Sequence, residues 1–121
     1  PKHLLNRAQS AAKVPTRKSV ETATYERNPA IVAYVQKRSR YKCEVDSCDY
    51  EGFEKEDGSK FIEVHNLKQL SDGGEDSISN AAAVCPNCHR LLHYGKDREK
   101  IRRLLKEKVV KENENFKMTL G

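Results

Sequence analysis

Hydrophobic positions along this chain come in short, separated bursts rather than in long periodic stretches. Residues 1–27 scatter their apolar side chains without a period among many Lys, Arg, Ser, Thr and Ala, and Pro15 would interrupt any helix begun near Leu4. That stretch reads as a basic linker or N-terminal arm. The first element signal is Asn28-Pro29, since Asn is a strong N-cap and Pro fits the first helical position, where its missing N–H costs nothing. Ile31, Val32 and Val35 give that helix a short apolar face, and it should end before Tyr41. Residues 43–58 read as an irregular acidic loop containing Gly52 and Gly58. Phe61, Ile62 and Val64 form a β-rich run, the polar stretch from Ser71 to Ser79 turns at Gly73-Gly74, and Ala81–Val84 offers a partner strand. Cys85-Pro86-Asn87-Cys88 is a tight turn leading into a short helix over His89–Tyr94, with Gly95 as its stop. Asp97 can cap a last helix, about 97–111, in which Ile101, Leu104, Leu105 and Val109 share one face; the tail, 112–121, looks frayed. The expectation is an α+β fold with one domain at 28–111, its motif core at 43–95, between the arm and the tail.

Composition sharpens this. Of 121 residues only 36% are hydrophobic, 34% are charged, and there is no Trp. A large apolar core is excluded, and something besides apolar burial must help hold the fold. No apolar run approaches the roughly 20 residues of a membrane span, and no signal segment opens the chain, which predicts a cytoplasmic protein with no membrane partner. The chain begins at Pro1 rather than Met, as a processed protein or a fragment would. Its net charge of +5 is unevenly spread. Residues 1–42 hold ten Lys/Arg against two Glu, residues 43–95 four against eleven acids, and residues 96–121 nine against five, for nets of +8, −7 and +4. An acidic centre between basic arms suits a polyanion along the arms and cations at the centre; well-solvated helices are the plain alternative.

The four cysteines supply a candidate staple. Cys43 and Cys48 enclose four residues, Cys85 and Cys88 enclose two, and 36 residues separate the pairs. Two thiolates three positions apart on a tight turn can face one ion, and four around Zn²⁺ make a closed tetrahedral structural site. Two disulfides in a secreted domain are the alternative, disfavoured by the absence of a signal segment and by the closeness within each pair.

The histidines suggest a second site. His89 follows the knuckle directly and His93 lies four residues on, so a helix stacks both imidazoles on one face. His65 ends the run Phe61–Val64, and pairing of the two strands would bring it toward that helix. Three imidazoles would make an open metal site with positions left for water and substrate. Polar residues on an exposed helix are the alternative for His89 and His93.

Residues 43–95, through Cys43…Cys48, "FIEVHN" at 61–66, "LSDGGEDSISN" at 70–80 and "CPNCHRLLHYG" at 85–95, resemble the HNH (ββα-metal) nuclease family. The form with two flanking cysteine pairs is similar to that of McrA-type modification-dependent restriction enzymes, and "YERNPAIVAYVQKRSRYKC" resembles the lead-in helix of such domains. The resemblance implies a small ββα-metal core stapled by a four-cysteine zinc site and flanked by helices, and a metal-dependent DNA endonuclease, the cleavage module of a restriction enzyme. It implies a catalytic divalent ion, such as Mg²⁺, Mn²⁺, Ni²⁺ or Zn²⁺, on His65, His89 and His93. It also implies that Asn80 ties the loop and orients the base, that Glu63 is an acid pairing with an arginine, and that position 66 is the general base. Cleavage would leave a 5′ phosphate and a 3′ hydroxyl.

Asn66 departs from that pattern. A carboxamide has no pKa near 7 and cannot take a proton from water as imidazole does. An introduced His→Asn change, a natural variant with another base, and a degenerate nuclease fold that only binds nucleic acid each account for it. Arg38, Arg40, Lys42, Lys68 and Arg90 are the candidate phosphate contacts, with plain surface charge as the alternative. No recognition helix or aromatic base pocket stands out, so specificity is expected from a separate DNA-recognition domain, joined upstream through the basic arm. A homodimer is left open.

Overall fold

The computed structural model describes residues 2–10 and 27–121. Its elements are helix α1 (Lys2–Ser10), helix α2 (Pro29–Ser39), strand β1 (Glu63–Asn66), a 3₁₀ turn (Leu70–Asp72), strand β2 (Ala81–Val84), helix α3 (Pro86–Tyr94) and helix α4 (Arg98–Thr119). Helix α1 buries none of its residues, and Leu4 and Leu5 are exposed. Lys2–Ser10 therefore forms a helix where the aperiodic pattern predicts only an arm, while Pro15 lies outside the described residues. Among the described residues no helix is long and apolar enough to cross a membrane.

Helix α2 starts as its sequence predicts: the Asn28 side chain accepts from the Ala30 N–H, and Pro29 takes the first turn. It stops because Arg40 and Tyr41 both adopt left-handed backbone, φ 56° and 60°, and the Tyr41 N–H returns to the Gln36 carbonyl at 2.9 Å. Two non-glycine residues in that region cost about 1–2 kcal/mol each, so the surroundings must hold them there. Two residues before this bend stands Arg38, whose guanidinium is buried. It donates to both carboxylate oxygens of Glu44 (2.6 and 3.0 Å), to Asn113 Oδ1 on α4 (2.7 Å), and to the Ile78 and Ala81 carbonyls (3.0 and 2.8 Å). A buried ion pair contributes only when its remaining hydrogen-bonding groups are satisfied, and here they are. Arg38 thus leaves the set of phosphate contacts: its charge is spent inside the fold.

The two strands pair antiparallel with Glu63 opposite Val84, His65 opposite Ala82 and Asn66 opposite Ala81. All four β2 residues are buried, so small alanines let α2 and α4 approach the sheet closely. The connecting loop is clipped by one residue. The Asn80 side chain accepts from the Lys68 N–H (2.9 Å) and donates to the Lys68 and Glu75 carbonyls (2.9 and 2.7 Å), while its own carbonyl accepts from the Leu67 N–H (2.9 Å). Gly74 is needed inside this clip: a Cβ there would stand 2.1 Å from the Lys68 carbonyl oxygen.

Helix α4 is longer than its hydrophobic pattern suggests. The inward stripe is Ile101, Leu105, Val109 and then Asn113, which bonds to Arg38 and to the Ile78 carbonyl (3.2 Å). Phe116 meets Tyr34 edge-on at 5.1 Å. The predicted frayed tail at 112–121 is therefore helix to Thr119, because a polar residue, not an apolar one, continues the buried stripe. Leu104, expected on the buried face, is 41% exposed, and Asp97 makes no side-chain cap bond.

A candidate metal centre beside a thiolate cluster

Pro86 and the strand-to-helix turn place Cys85 at the N-cap of α3, where its Sγ accepts from the Cys88 N–H at 3.3 Å. Cys43 and Cys48 arrive from the loop after α2, which the Glu44 N–H ties to the Ala83 carbonyl at 2.8 Å. The four sulfur atoms lie within 4.8 Å of one another, and Cys48 Sγ stands 3.8 Å from both Cys85 and Cys88 Sγ. A disulfide needs about 2.05 Å. A tetrahedron with metal–sulfur bonds of about 2.3 Å has edges of about 3.8 Å. The spacing is therefore that of ligands around one ion, and all four cysteines are free. Burial raises the Cys43 thiol to about 11 and pushes Cys88 up as well. Burial also opposes ionisation of Cys85, but hydrogen bonds from the Cys88 N–H and from neighbouring thiols outweigh it and bring that thiol down. Four adjacent thiolates are thus costly without a cation among them, and a divalent metal suits the set.

One helical turn further on lies the second cluster. The rings of His65, His89 and His93 sit with centroids 5.1–5.2 Å apart, and one nitrogen from each falls within 4.8 Å of the others. The i,i+4 spacing on α3 supplies two of them, and the end of β1 supplies the third. His65 is 4% exposed, His89 half-buried and His93 exposed, so the cluster opens from the core to solvent. Burial, then the charges of His89, His93, Arg102 and Arg27, lower His65 to about 4. It is therefore neutral near pH 7, as a metal ligand must be. Its Nε2 is buried and has no hydrogen-bond partner. Such an orphaned atom is costly unless something occupies the space before it. Burial also lowers His93, followed by the charges of His89, Arg90 and Arg102. Behind His89, Glu63 Oε1 accepts from Nδ1 at 2.8 Å, leaving Nε2 as the lone-pair donor. Glu63 thus pairs with a histidine, not with the arginine expected for it. Three nitrogen donors with one oriented by a carboxylate fit a divalent ion with open coordination positions.

A cleft of about 290 Å³ opens over these rings, lined by Arg27, Asn66, Gln69 and Ser71 besides the histidines. Asn66 Oδ1 is buried there without a partner. Gln69 Nε2 lies 3.5 Å from His93 Nδ1. Of the predicted phosphate contacts, Arg90 lines the adjoining cleft and Lys68 is exposed on the clipped loop. Arg40 and Lys42 border a larger groove of about 750 Å³ between the cysteine loop and α4, with Asp49, Glu51 and Glu112. That groove holds mixed charge and none of the histidines, so its size does not make it the reactive site. Arg27, Gln69 and Arg102 are not legible in the sequence as site residues, because nothing in a lone arginine or glutamine marks the cleft it will reach.

Residues 43–95 match the HNH endonuclease family. Over 95 residues the chain is 38% identical to the type IV methyl-directed restriction enzyme EcoKMcrA of Escherichia coli (strain K12), covering 74% of this chain and 34% of that protein. Among solved structures, the type IV phosphorothioation-dependent restriction endonuclease ScoMcrA matches with a TM-score of 0.67 and 31% identity, over 74% of this chain and 17% of that one. The chain therefore spans about a third of the curated relative's length.

Proposed function

Because this chain belongs to the HNH endonuclease family through residues 43–95, we propose that it is the cleavage module of a restriction enzyme, acting on DNA phosphodiester bonds with a divalent ion at His65, His89 and His93. The observation that carries this reading is the convergence of three imidazoles on one open point, with His65 Nε2 buried and unpartnered there. When bound, the ion supplies Lewis-acid stabilisation of the charge that develops on the scissile phosphate. The residues do the rest. Glu63 holds the His89 ring in the tautomer that leaves Nε2 free. Asn80 clips the loop after position 66 and so fixes where that residue stands. An all-nitrogen donor set favours Zn²⁺ or Ni²⁺ over Mg²⁺ and Mn²⁺, which suit oxygen ligands better. Cys43, Cys48, Cys85 and Cys88, with their sulfur atoms gathered within 4.8 Å of one another, would hold a structural Zn²⁺.

Position 66 decides whether this chain cuts. Asn66 lines the cleft with the histidines, but its carboxamide cannot accept the proton of an attacking water. The same residue favours a second reading, a nucleic-acid-binding module without catalysis. A general base typically contributes 10²–10⁴-fold, so plasmid nicking by this chain should be at or near background with each of Mg²⁺, Mn²⁺, Ni²⁺ and Zn²⁺, and Asn66→His should raise it by about that factor. If Asn66→His stays inert with every ion while DNA binding persists, the binding-module reading replaces the nuclease. Sequence or modification specificity belongs, on this reading, to a separate module, and the cytoplasm is where the protein works.

A further inference from the structure

Two arginines from outside the matched segment reach the histidine cluster, and they are committed to different degrees. Each guanidinium bonds to the backbone carbonyl just ahead of a cluster histidine. Arg27 Nη2 donates to Val64 O at 3.0 Å, before His65, and Arg102 Nη2 donates to Leu92 O at 3.2 Å, before His93. Arg102 is otherwise engaged: its Nη1 donates to Glu99 Oε1 at 3.0 Å, its Nε is buried, and it lines neither cleft at the histidines. Arg27 lines both clefts, one with His65, Asn66 and Gln69 and the other with Glu63, Arg90 and Tyr94. It is exposed, and among the described residues no carboxylate pairs with it. One N–H ties its guanidinium to the Val64 carbonyl beside the clefts it lines, and a guanidinium is a planar fork suited to two phosphate oxygens.

Charge balance points the same way. The matched segment, 43–95, carries a net charge of −7 and would repel a polyanion unless cations arrive from outside it. We infer that Arg27 is a substrate-contacting residue whose anchored guanidinium takes non-bridging oxygens of a nucleic-acid backbone phosphate at the mouth of the histidine cleft. This rests on the nuclease reading above. A guanidinium already tied through one N–H loses less freedom on binding than an untethered one. The same fixed charge then faces the negative charge that grows during cleavage.

The test is binding of a short DNA duplex by the zinc- and nickel-loaded chain across a salt series, for the unaltered chain, Arg27→Gln, Arg27→Lys and Lys117→Gln. Arg27→Gln should bind on the order of ten- to a hundred-fold more weakly at low salt, and its salt slope should fall by about 0.9. Arg27→Lys should keep the slope but regain only part of the affinity, and Lys117→Gln, at the far end of α4, should match the unaltered chain. Nickel uptake should be the same in all four, which separates a lost phosphate contact from a damaged ion site. Equal affinity and slope for Arg27→Gln and the unaltered chain would overturn the inference and leave the nuclease reading standing. Reduced nickel uptake in Arg27→Gln would overturn it by making the residue a structural prop. Failure of the unaltered chain to bind duplex at all would defeat the nuclease reading and this inference with it.

Discussion

Cys85 and Cys88 stand at the first turn of α3 and His89 and His93 follow on the same nine-residue helix, so one element supplies half of one ligand cluster and two of the three members of another. Their surroundings differ. The thiolate cluster draws two ligands from the loop after α2 and two from the first turn of α3, 37 residues or more away, and buries three of the four. The imidazole cluster has three ligands, graded from a buried His65 to an exposed His93, with a cleft over them. Ligand count and burial thus separate a site that closes on its ion from one that leaves coordination positions for other molecules.

Removing one ligand from each cluster tests that contrast most severely. Cys88→Ser should abolish cooperative melting followed by circular dichroism and lower tightly held zinc below one ion per chain, because structural zinc supplies roughly 10 kcal/mol or more of folding free energy in small metal-stapled domains. His93→Ala should stay folded, with its melting temperature within a few degrees, and lose only the ion at the imidazoles. A folded Cys88→Ser or an unfolded His93→Ala would reverse the two assignments.

The scaffold between the clusters gives an intermediate effect. Arg38→Leu leaves the buried Glu44 carboxylate without its partner and should cost about 3–5 kcal/mol in urea unfolding. A loss below about 1 kcal/mol would mean that the pair does not hold the cysteine loop to β2 and α4. The smallest effect sharpens the comparison rather than breaking it. Glu63→Gln should weaken ion binding at the imidazoles by roughly 10–100-fold, as loss of an orienting carboxylate does, and leave the zinc at the thiolates untouched. Calorimetric titration of nickel into the zinc-loaded protein reads both.

Much of the site is legible in the sequence. Cysteine spacing announces the staple, and the i,i+4 histidines announce a shared face, since both patterns act over one turn of chain. The Asn28-Pro29 cap, the Gly73-Gly74 turn and the Gly95 stop are legible for the same local reason. Glu63 is visible as an acid near the site but not as the partner of His89, because that bond spans 26 residues and depends on how β1 lies against α3. Arg38 reads wrongly as surface charge, since a guanidinium beside other basic residues gives no local sign of being buried. The end of α4 reads wrongly as frayed because Asn113 looks polar and exposed until Arg38 arrives from 75 residues away.

The amino-acid order alone determined which side chains have the chemistry to bind metal, and through local backbone preference it set the helices and turns that carry them. Tertiary packing alone decided that His65 meets His89 and His93, that Arg27 reaches their cleft while Arg38 is consumed in the core, and that Asn66 stands beside the ion site. Spacing controls neighbours within a turn of helix, whereas contacts across tens of residues exist only once β1, β2 and α3 have packed and excluded water between them.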